Sequence, residues 1–163
     1  MNFKNIIYLI GAFMLLAFST LASWYEGAQL RDIPWEWKYT AVFSNWINGG
    51  VGSENDILAI DHFVYAAKFE PLYPLLMATS LLFIVLQVAA VLLKNRTTAH
   101  TVFLVAAALM LFVLSGLLMN SPTTGLTLFF IFFGVAGIAI IAGVFFLHST
   151  KWKQRTSSYK MSG

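Results

Sequence analysis

The sequence predicts an all-α membrane protein in which four transmembrane helices form one bundle, a single domain over residues 1–163. Hydrophobic residues make up 59% of the chain and charged residues only 10%, whereas soluble domains carry roughly 25% charged residues. Four apolar runs approach the roughly 20 residues that a helix needs to cross a bilayer. All seven acidic residues lie in one segment, residues 24–70. These contrasts predict four spans with one long polar loop.

The first span is predicted over residues 6–23, an uninterrupted apolar run that follows Lys4. A cleaved signal peptide is the alternative, because Thr20-Leu21-Ala22 before Ser23 resembles a cleavage site with small residues. The apolar run is longer than the usual core of a signal peptide, which favours a helix that stays in the membrane.

The loop of residues 24–70 divides at a glycine-rich turn over residues 48–53. In its first half, aromatic or small residues alternate with more polar ones, and this period of two predicts a short strand or an extended segment. An isolated strand is unstable, so its aromatic face requires a cover. The residues assigned to that face are Trp35, Trp37, Tyr39, Ala41 and Phe43.

The second half of the loop predicts a short amphipathic helix. Ser53 and Asp56 have the spacing of a capping box, with Asp in place of the usual Glu or Gln. Helical spacing then places apolar residues on one side and charged residues, among them Asp61, toward water. The predicted apolar positions are Ile57, Ile60, Val64 and Ala67.

The remaining spans are predicted over residues 72–93, 101–119 and 126–147, and a polar tail follows over residues 148–163. The connections between these spans are too short to contain a domain. Successive spans should therefore run antiparallel.

The distribution of basic residues predicts the orientation in the cell membrane, because Lys and Arg near the ends of spans favour the cytoplasmic side. Seven of the ten Lys and Arg residues lie on the side of the two termini, and three lie in the loop. Both termini are therefore predicted to be cytoplasmic, with residues 24–70 outside. The seven are Lys4, Lys94, Arg96, Lys151, Lys153, Arg155 and Lys160.

The sequence offers little support for catalysis. The chain has no cysteine, no motif for a cofactor, and no charged residue inside the predicted spans, which argues against ion-coupled transport. His62 and the acids near it, Asp61 among them, could bind a divalent metal. A solvated acidic face is the preferred interpretation, because Asp61 and His62 point about 100° apart on a helix. We therefore expect no enzyme, no cofactor or metal site and no nucleic-acid partner.

Small residues and one amide are predicted to mediate helix packing. Small side chains let helix backbones approach closely, either within one chain or between the subunits of a homo-oligomer. The residues assigned to this role are Gln87, Gly134, Gly137, Ala139 and Gly143.

The leading functional hypothesis is a non-enzymatic interaction or accessory subunit that engages a membrane-protein partner, the cell envelope or the lipid surface through its loop. Aromatic anchors supply much of the binding energy at interfaces. The alternative is a small oligomeric transporter or channel subunit for a neutral or hydrophobic solute. The candidate contact residues are Trp24, Trp35, Trp37, Tyr39 and Phe43.

Two segments of the loop carry a family resemblance. Ser23-Trp24-Tyr25-Glu26-Gly27 and Trp35-Glu36-Trp37-Lys38-Tyr39 resemble a segment of the YjdJ-like small membrane proteins of Gram-positive bacteria. The resemblance covers the first span, the loop and part of the second span. It implies no reaction and no catalytic residues.

Overall fold

The computed structural model describes residues 3–161, with side chains described for residues 3–146 and for Ser149. Seven α-helices and three short 3-10 helices make up its regular structure. The α-helices are α1 (Phe3–Gly27), α2 (Trp37–Thr40), α3 (Val42–Asn48), α4 (Ala59–Phe69), α5 (Leu72–Leu92), α6 (Thr97–Leu118) and α7 (Thr124–Met161). The 3-10 helices are Ala28–Asp32, Pro34–Glu36 and Glu54–Asp56.

Four of these helices are long and apolar enough to cross a membrane. This result confirms the prediction of a helical fold with four apolar helices of spanning length. The basic side chains of the predicted tail lie outside the described residues, although the backbone of α7 continues to Met161. The four helical segments are Phe3–Asp32, Leu72–Leu92, Thr97–Leu118 and Thr124–Phe146.

The strand predicted in the first half of the loop is wrong, because this stretch folds as a 3-10 turn followed by α2 and α3. Among the described residues there is no strand with which it could pair. The buried positions here are Thr40, Ala41 and Ser44, which recur at helical rather than alternating spacing. The spacing of the small buried residues therefore indicates helix in this stretch, and the alternation of the aromatic residues was misleading.

The described chain forms two compact units. The first contains the residues up to Val88 together with Asn120–Phe129, and the second contains Ala89–Met119 together with the residues from Phe130 onward. The first unit holds the whole loop, and we call residues 24–70 the loop module.

Helix α4 packs against α1 in the first unit through a ridge of small residues. Ser19, Ser23 and Gly27 recur every fourth position on α1, and all three are buried. A Cβ atom added at Gly27 would lie 1.9 Å from the backbone oxygen of His62. The absence of a side chain at Gly27 therefore permits the contact, as is usual where helices pack through small residues.

The start of α7 makes a second glycine contact with α4, also within the first unit. A Cβ atom added at Gly125 would lie 2.2 Å from the backbone oxygen of Ala67 and 2.5 Å from that of Lys68. Two glycines from distant parts of the chain thus contact the backbone of the same helix.

The buried face of α4 differs from the predicted one. The sequence assigned Ile60 to the inside and Asp61 to water, but Ile60 is exposed and Asp61 is fully buried. The buried residues of α4 are Asp61, His62, Tyr65 and Ala66. Hydrophobicity alone placed the wrong face inward, because the polar side chains of this helix serve contacts within the module.

The second unit shows close packing between α6 and α7. The hydroxyl of Ser115 donates a hydrogen bond to the backbone oxygen of Phe130 at 2.8 Å. A Cβ atom added at Gly134 would lie 3.4 Å from the Ser115 oxygen, and one added at Gly137 would lie 2.8 Å from the Phe112 ring. These two glycines therefore face α6.

The other residues assigned to helix packing have different surroundings. Ala139 and Gly143 are exposed in the chain, and a Cβ atom added at Gly143 would meet nothing within 4 Å. Gln87 on α5 is half-buried. Contact between subunits through these positions stays a prediction.

Candidate functional site

An aromatic face on the loop module is the strongest candidate for a functional surface. The side chains of Trp35, Tyr39 and Trp46 are 73%, 65% and 81% exposed. Val42 and Ile47, on the same helix as Trp46, are also exposed. We call these five residues the aromatic face. An exposed apolar group of this kind on a folded segment is typical of an interaction site.

Trp46 was missing from the sequence-based candidates because the predicted strand ended before it. Helical spacing from Tyr39 would not have found it, because Tyr39 lies on α2 and Trp46 on α3, and the chain leaves the helical conformation at Ala41 between them.

Trp37 has a structural role instead. Its indole nitrogen donates a hydrogen bond to the backbone oxygen of Leu30 at 2.8 Å. Its ring packs against a core formed by Leu30, Ala41, Ile57 and Tyr65. Among the predicted contact residues, Trp37 is therefore the one turned toward the interior of the module.

Phe43 and Trp24 are less exposed than the residues of the aromatic face and are not counted among them. Phe43 is 37% exposed, and its backbone NH is hydrogen-bonded to α4. Trp24 is about half exposed and lies on α1, where its ring centroid is 6.1 Å from that of His62. The structure therefore places Trp24 beside the contact between α1 and α4.

Asp61 connects α4 to the beginning of α3. One carboxylate oxygen accepts a hydrogen bond from the backbone NH of Phe43 at 2.9 Å. The other accepts bonds from the backbone NH and the hydroxyl of Ser44, at 2.7 and 2.5 Å. The first backbone NH groups of a helix have no partner within it, so a carboxylate at this position stabilises the helix. Asp61 therefore orients the helix that carries Trp46.

A second network ties α2 to the end of α4. The ammonium group of Lys68 donates a hydrogen bond to the hydroxyl of Thr40 at 2.6 Å and lies 3.8 Å from the carboxylate of Glu36. The Thr40 hydroxyl in turn donates to Glu36 at 2.7 Å. This network orients the helix that carries Tyr39.

The capping box predicted at Ser53 and Asp56 is present. A carboxylate oxygen of Asp56 accepts hydrogen bonds from the backbone NH groups of Ser53 and Gly52, and from the Ser53 hydroxyl. These bonds, led by that from the Ser53 backbone, hold the pKa of Asp56 below its usual value. The box begins a short 3-10 helix, and α4 starts only at Ala59.

His62 is the most unusual polar residue of the module. It is 1% exposed, and neither of its ring nitrogens has a hydrogen-bond partner within the described part of the chain. Burial lowers the pKa of His62, the positive charge of Arg31 lowers it further, and Asp61 acts in the opposite direction. The buried imidazole is therefore favoured in its neutral form.

Three of the seven acids of the module have structural roles. Asp61, Asp56 and Glu36 are bonded within the module, whereas Asp32, Glu54 and Glu70 are exposed. The described residues contain no group of three or more His, Asp or Glu side chains that could hold a metal ion. The preferred interpretation of Asp61 as part of a solvated face is wrong, because its carboxylate is buried and caps α3.

Comparison with known proteins gives a family. Residues 6–93, slightly more than half of the chain, match a domain of unknown function, DUF4306. Over 73 residues the chain is 36% identical to "Uncharacterized protein YjdJ" from Bacillus subtilis (strain 168), a match that covers 44% of this chain and 67% of the relative. No solved structure matches. The predicted resemblance to YjdJ-like proteins is confirmed, and the chain belongs to the DUF4306 family.

Proposed function

We propose that this protein is a non-enzymatic interaction subunit of the cell membrane and that its aromatic face binds a membrane-protein partner. The exposure of Trp35 and Trp46 on a hydrogen-bonded module is the observation that carries the proposal. Tryptophan and tyrosine are enriched among the residues that dominate binding energy.

The support beneath the face favours binding with little rearrangement. Asp61 fixes the start of α3, and Lys68 fixes the end of α2. Rigid presentation lowers the entropy that a surface loses on association. The hydrogen bonds that hold α2 and α3 in place therefore support the proposal that the aromatic face binds a partner.

The charge of the module favours a protein over an anionic lipid surface. Residues 24–70 contain three basic and seven acidic residues, a net charge of −4. Anionic headgroups attract clusters of Lys and Arg and repel acids. We further propose that the module lies outside the cell with both termini cytoplasmic, because seven of the ten Lys and Arg residues flank the spans on the opposite side.

Photo-crosslinking in native membranes tests the proposal. A benzophenone amino acid placed at Trp46 should give a discrete protein adduct, and the same group at exposed Asn55 is the matched control. With the photo-crosslinker placed at Tyr39, Trp35→Ala combined with Trp46→Ala should reduce the adduct by about tenfold, which corresponds to roughly 1.4 kcal/mol.

Three results would contradict the proposal. These are lipid adducts alone at position 46, protein adducts of equal yield at positions 46 and 55, and adducts that survive the double substitution. Trp37→Phe is unsuitable as a control because the Trp37 indole is bonded within the core of the module.

A further inference from the structure

We infer that the contact between α1 and α4 at His62 is a proton-sensitive switch, which opens when His62 becomes protonated. The inference concerns the interior of the loop module and does not depend on what the aromatic face binds. It stands on the placement of His62 between two helices that approach closely.

The geometry keeps the imidazole away from bulk water while the helices are together. Gly27 of α1 lies directly against the backbone of His62, and the Trp24 ring lies beside the imidazole. Both ring nitrogens are buried and without a hydrogen-bond partner within the described residues, as is the hydroxyl of Ser23 on the same face of α1. A charged imidazolium has two NH donors that require acceptors or water. Protonation therefore favours separation of the helices.

The charges around His62 are few. Arg31 and Asp61 act on it electrostatically, with opposite signs. The Asp61 carboxylate already accepts three hydrogen bonds from α3 and does not bond to the imidazole. Arg31 opposes a second positive charge nearby.

The other charged and titratable groups on the elements that pack against α4 are paired, exposed or, in the case of Glu26, half-buried without a partner. Glu26 of α1 is opposed by the like charge of Glu70, and one of its carboxylate oxygens has no hydrogen-bond partner within the described residues. Lys68 pairs with Glu36, and Lys38 lies over the Tyr39 ring. Helix α3 and residues 124–129 of α7 contain no titratable side chain. The remaining groups are Lys4, Tyr8, Tyr25 and Asp32, which are exposed, and Tyr65, whose pKa is raised by burial and by the charges of Glu36 and Glu70.

The direction of the effect follows from linkage. The pKa of His62 in the closed contact is lowered from 6.5, so the open form binds the proton more tightly. The closed contact is therefore fully favoured above about pH 6.5 and loses stability as the pH falls below it. If the closed form stays neutral, opening increases by up to about 30-fold between about pH 7.5 and pH 5.

The chain has no cysteine, so a single introduced cysteine can report the opening of the contact through its rate of thiol labelling. Ser23→Cys is nearly isosteric and places a thiol in the contact, whereas Asn55→Cys places one on the exposed surface of the module. The rates of thiol labelling of the two full-length variants are compared in lipid nanodiscs from about pH 7.5 to pH 5. Their ratio removes the intrinsic pH dependence of the reagent.

We expect the ratio of the Ser23→Cys rate to the Asn55→Cys rate to rise by about tenfold or more on acidification. With His62→Gln or His62→Phe the ratio should stay within about twofold, and Arg31→Gln should reduce the rise because the pKa of His62 in the closed form then increases. Amide hydrogen exchange of α4, corrected for intrinsic rates, gives a second measurement in the unsubstituted protein.

The inference is overturned if neither labelling nor α4 exchange increases at low pH. It is equally overturned if the increase persists in both His62 variants, because another group would then be responsible. Circular dichroism at about pH 7.5 shows whether either variant has lost the helical fold before acidification.

Discussion

The carboxylate of Asp61 caps the N-terminus of α3 at Ser44, across 17 positions of sequence. The residue at the usual capping position is Ala41, whose side chain has no oxygen. A side chain from another helix thus replaces the local cap that Ser, Thr, Asp or Asn normally provides. This contact joins the buried side of α4 to the helix that carries the exposed Trp46.

Asp61→Ala should destabilise the loop module strongly. It removes the acceptor of the NH groups of Phe43 and Ser44 and of the Ser44 hydroxyl. Buried donors without a partner are costly, and we expect a loss of about 3 kcal/mol. Thermal unfolding in detergent checks this value. Asp32→Ala, which removes an exposed carboxylate, should change the stability by less than about 0.5 kcal/mol, and equal effects of the two substitutions would contradict the capping role.

Gly27→Ala should separate α1 from α4. The new methyl group would overlap the backbone oxygen of His62, which cannot move without its helix. We expect a loss of about 3 kcal/mol, the upper end of the usual range for overpacking. Gly11→Ala is the matched control in the same helix, because a Cβ atom there meets nothing within 4 Å, and it should be neutral or stabilising by up to about 1 kcal/mol. Unfolding midpoints that are equal for the two variants would refute the close contact.

Gly125→Ala and Gly137→Ala should differ, although both glycines lie on α7. At Gly125 the added carbon meets backbone oxygens of α4, whereas at Gly137 it meets the edge of the Phe112 ring, which can rotate. We expect about 3 kcal/mol of destabilisation for Gly125→Ala and less than about 1 kcal/mol for Gly137→Ala. Denaturation of both variants in the same detergent gives the comparison. A larger loss at Gly137 would show that the Phe112 ring is held rigidly.

Ser53→Ala should raise the pKa of Asp56 toward its usual value, since it removes one of the hydrogen bonds that stabilise the carboxylate. The backbone bonds remain, so the rise should be partial. The lowered pKa means that the capping box contributes stability above the ordinary pKa and loses it as the pH falls through the pKa of the folded form. Titration of the Asp56 carboxyl carbon by NMR measures the shift. Asn55→Ala is the control, because its side chain is exposed and takes no part in the box.

The helices that could span the membrane were predictable because hydrophobic length is a local property of the sequence. A helix in the second half of the loop was also predictable, although the capping box precedes the 3-10 helix Glu54–Asp56 and α4 begins at Ala59 without a side-chain cap. The buried role of Asp61 was not, because its partners belong to another helix and only tertiary packing brings them together. His62 shows the same limit, since a histidine in an acidic loop gives no local sign of complete burial.

The aromatic residues show how two periods can coincide. Trp35 and Tyr39 are separated by four positions, which fits both a strand and a helix. Burial of Thr40 and Ser44 decides for the helix, and small polar residues are weak signals of burial in a sequence. Of the contact candidates, Trp35 and Tyr39 are exposed and Trp37 packs against the core, whereas the exposed Trp46 was not among them.

The contact of Gly125 with α4 also sets an order of events during biosynthesis. Glu70, the last residue of the loop module, leaves the ribosome 55 residues before Gly125. At about 5–20 residues per second, roughly 3–11 seconds pass before the second glycine can reach the helix. During that interval α4 can pack against α1, but the region around Ala67 and Lys68 lacks its later neighbour. The contact between α4 and Gly125 therefore forms only after synthesis of the last hydrophobic segment has begun.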